Sequence, residues 1–242
     1  MTESDTTASV QGQPFLEGMG PFTAQLATLA GRYFDAVSEH PFFLELRLGQ
    51  LSPERYHFYV IQDYLFLRAA GRVFNELVEQ IHDDEWLVAF NRCASAVLRL
   101  EHSLQEQAVH TLGLEPSQAD LLPLAPTNEA YTSLLQVLAD NAPFAEALMV
   151  TLPCHWFYQA LGAWLLEQPD LSPQHREWAA FYGGDAYDEL VQHLLELAED
   201  VGASLPLAQQ QRCFERFTHA CRYEWLFWEM CYHQEQWREP GA

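Results

Sequence analysis

The chain has 242 residues, of which 34 are acidic and 12 basic, so its formal net charge is -22. Such a charge repels phosphate groups and anionic lipid, which argues against nucleic acid and membrane surfaces as partners. The composition is 49% hydrophobic and 13% aromatic, which suits a large core and excludes a disordered chain. No apolar run approaches the roughly 18 residues that a membrane-spanning helix needs.

The first 20 residues show neither helical periodicity nor a basic stretch followed by an apolar one. They are therefore predicted to be a disordered leader rather than a secretory signal. The five cysteines are odd in number and widely spaced, and no C-x-x-C occurs. This pattern argues against a disulfide framework or a zinc knuckle and favours a reducing cytoplasm.

Helical periodicity begins at Pro21, with apolar residues at 22, 26, 29, 30, 33 and 34, and stops before Pro41. A long second helix is predicted from Ser52, a typical N-cap, with Pro53 at its first position. A third begins at the acidic run DDE and ends at Gly113, because acids suit a helix N-terminus and glycine suits its end.

A proline-containing connector follows, and the helical pattern then resumes with "NEAYTSLLQVLAD" and "PFAEALMVTLPCHWFYQALGAWLLEQ". Pro153 falls inside the latter and is expected to kink the helix or begin a new turn. Two more helices are predicted over about 173–200 and 207–237. Strand signals are nearly absent, so the sequence predicts one all-α domain, residues 21–238, with seven or eight helices in a multi-helix bundle.

Two carboxylates occupy positions at which the helical pattern predicts apolar residues. Asp63 lies in "FYVIQDYLFL" and Glu224 in "CRYEWLFWEMCY". A carboxylate in such a stretch is costly unless it is paired or functional. Each has an aromatic at i+3, Phe66 and Phe227 respectively, which shares its face of the helix.

A thiol follows the same pattern, since Cys154 has Tyr158 at i+4. If Pro153 begins a new turn, Cys154 lies at a helix N-terminus, where the dipole favours a thiolate. Aromatics that stack, carboxylates that bind ring nitrogens and amines, and a thiolate that attacks carbon together suit a flat heterocycle.

Each of these groups could instead be structural. Free cysteines are usually buried and inert. Arginines close by in the chain could pair with the two carboxylates: Arg68 or Arg72 with Asp63, and Arg216 or Arg222 with Glu224.

A metal centre is a further alternative, because ten histidines and many carboxylates lie on predicted helices. A di-iron site needs Glu-x-x-His pairs or a comparable run facing inward. Here Glu101 and His102 are adjacent, and Asp188 and His193 are five apart, so neither pair shares a face. No Gly-rich phosphate loop occurs. The sequence predicts no metal and no cofactor.

Five segments in order resemble the TenA family of thiaminase II enzymes over about residues 20–238. They are "HPFFLEL…GQLSPERYHFYVIQDYLFL", "TNEAYTSLL", "LPCHWFYQALG", "WAAFYGGDAY" and "YEWLFWEM". The resemblance implies a heme-oxygenase-like all-helical fold and a tetramer. It also implies hydrolysis of aminopyrimidines in thiamin salvage, with thiamin itself cleaved by some members.

Carried over by motif, the resemblance makes Cys154 the nucleophile. It makes Asp63 the group that binds the pyrimidine amine and ring nitrogen, and Glu224 the acid–base group at the opposite ring nitrogen. The implied substrate-binding residues are Phe66, Tyr131, Tyr158, Tyr182 and Phe227. Gly183 and Gly184, directly after Tyr182, are unusual for the resemblance, since paired glycines soften the backbone.

The predicted function is therefore deamination of 4-amino-5-aminomethyl-2-methylpyrimidine to the hydroxymethyl pyrimidine, with thiamin as a second substrate to test. Two alternatives stay open: a non-catalytic pyrimidine-binding or regulatory protein, and an oxidase on the same fold. The predicted partner is a small pyrimidine. A homotetramer is expected, with a dimer as second choice, because Trp225, Trp228, Tyr232 and Trp237 look exposed on one C-terminal helix.

Overall fold

The structure is a computed structural model that describes residues 20–238, without the side chains of residues 98 and 100–105. The predicted leader lies outside the described residues except for Gly20. The described part is all-α, as predicted, with ten α-helices and one short 3₁₀ helix, Pro173–His175, before α8. The α-helices are α1 (Pro21–Ser38), α2 (Pro41–Arg47), α3 (Pro53–Val78), α4 (Asp84–Thr111), α5 (Pro116–Ala119), α6 (Pro126–Asn141), α7 (Phe144–Leu166), α8 (Arg176–Tyr182), α9 (Asp185–Ala203) and α10 (Leu207–His233).

Helix α7 lies at the centre of the bundle. It is apolar around nearly its whole circumference, and most of its side chains are buried. Such a helix is stable only when neighbours cover every side. Helices α1, α3, α6, α8, α9 and α10 all pack against it, so any polar group that α7 carries lies inside the protein.

The predicted helix starts are confirmed where a side chain caps them. The Ser52 hydroxyl accepts a hydrogen bond from the Arg55 N–H at 3.3 Å, and Pro53 is the first residue of α3. Asp83 caps α4 by accepting from two backbone N–H groups, those of Glu85 and Trp86. These caps satisfy donors that the first turn of a helix leaves open.

The predicted helix over about 173–200 is wrong, because the chain breaks at Gly183 and Gly184. A Cβ added at Gly183 would lie 2.5 Å from the backbone nitrogen of Ala163, and one at Gly162 would lie 2.3 Å from that of Gly183. Only glycines allow α7 and α8 to meet backbone against backbone. Helix α8 ends at this contact, directly after Tyr182, and the contact holds Tyr182 against α7.

Two short helices account for part of the difference in helix count. Helices α2 and α5 are too short to show a periodic pattern, so they were not predicted.

Helix α10 ends at His233, because Gln234 takes a left-handed conformation with φ of 51°. Trp237 therefore lies beyond the helix, and Trp228 is fully buried in the core. The prediction of four exposed aromatics on one helix is wrong, since neighbouring helices cover Trp228.

A buried carboxylate ties α7 to α10. Glu146 accepts hydrogen bonds from Arg212 Nε at 2.7 Å and Arg216 Nε at 3.2 Å. Burial by itself would raise the pKa of Glu146, but the hydrogen bonds and charges of the two arginines outweigh it and lower that pKa. The ionised carboxylate therefore stabilises the folded state.

We expect Glu146→Gln to lower the free energy of unfolding by about 2 kcal/mol at pH 7, because two arginines lose their charged acceptor. A lowered folded-state pKa contributes stability above the unfolded pKa, and that contribution disappears as pH falls through the folded value. The deficit of the variant should therefore shrink on acidification. Urea unfolding from pH 7 to pH 3 measures it, with exposed Glu215→Gln as the control. A pH-independent deficit would contradict the prediction.

No helix within residues 20–238 is both long and apolar enough to cross a membrane.

Candidate active site

Three helices bring the predicted reactive groups into the interior. Asp63 lies on α3, Cys154 on α7 and Glu224 on α10, and these helices pack on one another. The exposed fractions of the three residues are 2%, 7% and 2%. Two carboxylates buried this deeply need hydrogen-bond donors.

Tyrosine hydroxyls supply those donors for Asp63. Tyr158 of α7 donates to Asp63 Oδ1 at 2.8 Å, and Tyr59 of α3 donates to Oδ2 at 3.4 Å. Burial, followed by the charge of Asp63, raises the pKa of both tyrosines well above the ordinary value. Both hydroxyls therefore stay protonated and act as donors to the carboxylate.

Glu224 is held in the same way from another helix. Tyr131 of α6 donates to Glu224 Oε1 at 2.7 Å. Burial, then the charge of Glu224, raises the pKa of Tyr131 well above its ordinary value. Cys154 lies on α7, which packs against the helices that carry Tyr131 and Glu224.

Two of the four arginines considered as partners for Asp63 and Glu224 pair with other carboxylates. Arg68 pairs with Asp120 at 3.4 Å, and Arg216 pairs with Glu146. Tyrosine hydroxyls contact both Asp63 and Glu224. A tyrosine hydroxyl is a neutral donor, so it binds a carboxylate without bringing a positive charge to it.

The expectation that Cys154 begins a helix is wrong. Helix α7 continues from Phe144 to Leu166 with Pro153 inside it, so Cys154 lies mid-helix without the field of a helix N-terminus. Proline removes only the hydrogen bond to the carbonyl four residues earlier. The surrounding helices bury Pro153 and its neighbours. Their packing keeps α7 continuous although that hydrogen bond is missing.

The thiol of Cys154 has a local acceptor instead. Its Sγ donates to the carbonyl of Thr151 at 3.1 Å. That bond orients the S–H toward the backbone of the preceding turn. The sulfur has to lose this proton before it can act as a nucleophile.

The aromatic residues form two groups around the reactive side chains. In the first, beside Glu224, the ring centroid of Phe66 lies 4.9 Å from that of Tyr131 and 5.9 Å from that of Phe227. Tyr223 stacks on Tyr131 at 5.0 Å between ring centroids, with an interplanar angle of 12°. Rings at these distances and angles form a flat-sided aromatic environment.

The second group lies beside Asp63. Tyr158 contacts Tyr182 at 4.9 Å, Trp228 at 5.4 Å and Trp178 at 5.9 Å between ring centroids. The glycine contact between α7 and α8 sets the first of these distances, because it fixes Tyr182 against α7. Tyr182 is 1% exposed.

The two groups are continuous. Phe227 of the first contacts Trp228 of the second at 5.7 Å. Glu224 also contributes to the raised pKa of Tyr158, after burial, Asp63, Tyr59 and Tyr182. The structure thus brings together the eight residues predicted for the site, all of them buried: Asp63, Phe66, Tyr131, Cys154, Tyr158, Tyr182, Glu224 and Phe227. Their catalytic and binding roles stay predictions.

Sequence reasoning missed several aromatics that contact the site, among them Tyr59, Trp178, Tyr223 and Trp228. Tyr59 carried a usable signal, because it precedes Asp63 by four residues and so shares its helix face. Trp228 follows Glu224 by four and carried the same signal. Trp178 had none, since its contacts with Tyr59 and Tyr158 are between helices distant in sequence.

The other four cysteines are also buried. Burial raises the pKa of Cys93 and of Cys213 to about 11. Burial and a nearby carboxylate raise the pKa of Cys221 and of Cys231 well above the ordinary value. Thiols of this kind carry almost no thiolate at neutral pH and are inert.

Histidines, cysteines and carboxylates nowhere gather in threes as a metal site would require, as far as the described residues extend. His155, the histidine next to Cys154, lies against Tyr187 at 3.3 Å between Nδ1 and the hydroxyl. That the protein works without a metal or a cofactor stays a prediction.

Comparisons with known proteins agree with this fold. The chain is similar to the aminopyrimidine aminohydrolase of Halalkalibacterium halodurans, with 27% identity that covers 91% of this chain and 99% of the relative. Its identity to the Bacillus subtilis protein of the same name is 25%, covering 91% and 93%. A solved structure of a TenA homologue from P. horikoshii superposes with a TM-score of 0.77 at 23% identity, covering 88% and 98%.

A family model covers most of the chain. The model of the TENA/THI-4/PQQC family matches residues 24–234, which include α1 from its first turn, the whole of α2–α10 and every residue of the candidate site. The chain belongs to the TENA/THI-4/PQQC family.

Proposed function

We propose that this protein is an aminopyrimidine aminohydrolase of thiamin salvage. It hydrolyses 4-amino-5-aminomethyl-2-methylpyrimidine to the hydroxymethyl pyrimidine and ammonia. The observation that carries the proposal is the pair of buried carboxylates, Asp63 and Glu224, each held by tyrosine hydroxyls beside aromatic rings and a thiol. The names of the similar proteins from Halalkalibacterium halodurans and Bacillus subtilis support it.

The two carboxylates suit opposite edges of the pyrimidine. Asp63 accepts from the 4-amino group and binds the adjacent ring nitrogen. Glu224 faces the other ring nitrogen and exchanges a proton with it. Phe66 and Phe227 contact the faces of the ring, and Tyr131, Tyr158 and Tyr182 complete its surroundings.

The thiol starts the reaction. Cys154 gives its proton to Glu224 and adds to the ring carbon between the Glu224-bound nitrogen and the carbon that bears the aminomethyl arm. Glu224 delivers a proton to that nitrogen, so the proton lost from sulfur balances the one gained by the ring. A carbon–sulfur bond forms and the aromaticity of the ring is lost.

The amine then leaves. The 4-amino group supplies the electron pair that breaks the bond between the methylene carbon and the ammonium nitrogen, so ammonia departs and an exocyclic methylene forms. Asp63 stabilises the positive charge that develops on the 4-amino nitrogen. Water adds to the methylene and its spare proton goes to the released ammonia. The carbon–sulfur bond then breaks, and the ring nitrogen returns its proton through Glu224 to the sulfur of Cys154. The net reaction consumes one water and needs no oxidant.

The test is ammonia release from the purified protein with this aminopyrimidine. We expect turnover, with hydroxymethyl pyrimidine formed in equal amount, and we expect it to persist after treatment with a metal chelator. Binding of the pyrimidine without ammonia would favour a non-catalytic pyrimidine-binding or regulatory protein. Product formation that depends on oxygen would favour an oxidase. Parallel assays with thiamin establish whether it is a second substrate.

We also propose a cytoplasmic homotetramer in which residues 21–238 act as one domain. One continuous core of buried side chains from α1 to α10 supports the single domain. Large apolar side chains that stay exposed, among them Leu121 at 85% and Val88 at 72%, support burial of surface between copies.

Light scattering coupled to size exclusion is expected to give four times the 27.8 kDa mass of one chain. Apolar surface of this kind is buried when copies associate, so the tetramer should persist at micromolar concentration. The mass of one chain or of two would contradict the tetramer.

A further inference from the structure

Asp63 is the end of a chain of hydrogen bonds that begins on another helix. Trp178 Nε1 of α8 donates to the Tyr59 hydroxyl oxygen at 2.9 Å, and that hydroxyl donates to Asp63 Oδ2 at 3.4 Å. An indole N–H can only donate, so the Tyr59 oxygen accepts from Trp178 and its own O–H is directed to Asp63. The direction of the chain is therefore fixed, from Trp178 through Tyr59 to Asp63.

Burial keeps solvent water away from this chain of hydrogen bonds. Trp178 is 7% exposed and Tyr59 is 1% exposed. Burial, then the charge of Asp63, raises the pKa of Tyr59 well above its ordinary value, so the hydroxyl keeps the proton that it donates. Bonds of this kind strengthen one another in a low-dielectric interior.

These hydrogen bonds also make the orientation of the Asp63 carboxylate depend on the position of α8. The backbone contact of Gly183 with α7 fixes α8, and Trp178 lies on that short helix. Tyr59 precedes Asp63 by one turn of α3. With Tyr158 on Oδ1, both oxygens of the carboxylate have a donor, and the lone pairs left over have fixed directions.

A cavity of about 150 Å³ borders the same two rings. Tyr59 and Trp178 line it, together with Tyr56, Gln107 and Glu177 among others, whereas Asp63 does not. The cavity therefore borders the two rings and not the carboxylate itself.

We propose that Tyr59 and Trp178 are positioning residues for Asp63, which hold its carboxylate in the orientation that binds the amine and ring nitrogen of the aminopyrimidine. The proposal rests on the proposed function for the role of Asp63. It assigns to Trp178 an effect on substrate binding that passes through Tyr59.

The kinetic test compares Tyr59→Phe, Trp178→Phe and the double variant, with Tyr56→Phe as the matched control. Tyr56 lies on the same helix and lines the same cavity, but it is not part of the chain. We expect each single variant to lower kcat/KM by about 10-fold to 100-fold, mainly through KM, the loss that corresponds to one hydrogen bond to a charged group. Tyr56→Phe should stay within about twofold, as expected for a change outside the site.

The double variant tests the order of the chain. Since Trp178 acts through Tyr59, removing both should cost no more than Tyr59→Phe alone. Losses that multiply would mean that the two residues act separately, and they would overturn the proposal. Should Trp178→Phe fail to fold, Tyr59→Phe against Tyr56→Phe still decides whether the hydroxyl matters.

A measurement without substrate separates this proposal from the proposed function. The side-chain carboxyl carbon of Asp63, assigned through Asp63→Asn, is titrated by NMR in the free protein. A lost donor disfavours the ionised form, so the midpoint should move to higher pH in Tyr59→Phe and in Trp178→Phe but not in Tyr56→Phe. An unmoved midpoint in both would overturn the positioning role. A wild-type protein that releases no ammonia would overturn only the proposed function.

Discussion

Replacing Cys154 by serine is expected to lower kcat by about a thousandfold or more while the aminopyrimidine still binds. Covalent catalysis is lost with the sulfur, because a serine hydroxyl in this setting has no base strong enough to make it a comparable nucleophile. Binding survives because Asp63, Glu224 and the aromatic rings are untouched. Steady-state ammonia release gives kcat, and calorimetric titration gives Kd for the pyrimidine.

The matched controls are Cys93→Ser and Cys213→Ser, which make the same change at buried thiols whose pKa burial raises to about 11. They should change kcat by less than about twofold, as expected of residues outside the chemistry. If Cys154→Ser keeps near-normal kcat, the thiol is core packing and the covalent mechanism is wrong.

Glu224→Gln is expected to lower kcat by about 100-fold to 10,000-fold, the usual contribution of a positioned acid–base group. Glutamine keeps the shape of the side chain, and its carbonyl can still accept from Tyr131, but it cannot deliver a proton to the ring nitrogen. The rate should fall with a much smaller change in KM, since the lost interaction belongs to the transition state.

Glu215→Gln provides the control on the same helix, at an exposed position. A Glu224→Gln enzyme with a raised KM and an unchanged kcat would show that Glu224 only binds the substrate. The acid–base step would then have to be assigned to another group.

The carboxylates of the site could be predicted from the sequence because they break an apolar pattern. Asp63 and Glu224 each stand in a helical run of hydrophobic residues, and an i+3 aromatic shares the face of each. Burial is costly for such groups, so the pattern carries information about function as well as fold.

What depends on contacts between distant segments could not be predicted. Pro153 reads locally as a helix breaker, yet the helices around α7 keep it continuous and place Cys154 in its interior. From the sequence, Gly183 is expected to make the backbone more flexible. In the structure it is the position at which the backbones of α7 and α8 touch. Trp178 reaches Tyr59 across 119 positions of sequence, and no local pattern reports such a partner.

The most direct measurement is a crystal structure of the Cys154→Ser protein with 4-amino-5-aminomethyl-2-methylpyrimidine bound. The account predicts the ring between Phe66 and Phe227, its 4-amino group on Asp63 and its far nitrogen on Glu224. The serine hydroxyl that replaces the thiol should lie within van der Waals contact of the ring carbon next to that nitrogen. A pyrimidine bound away from both carboxylates, or with residue 154 out of reach of the ring, would contradict it.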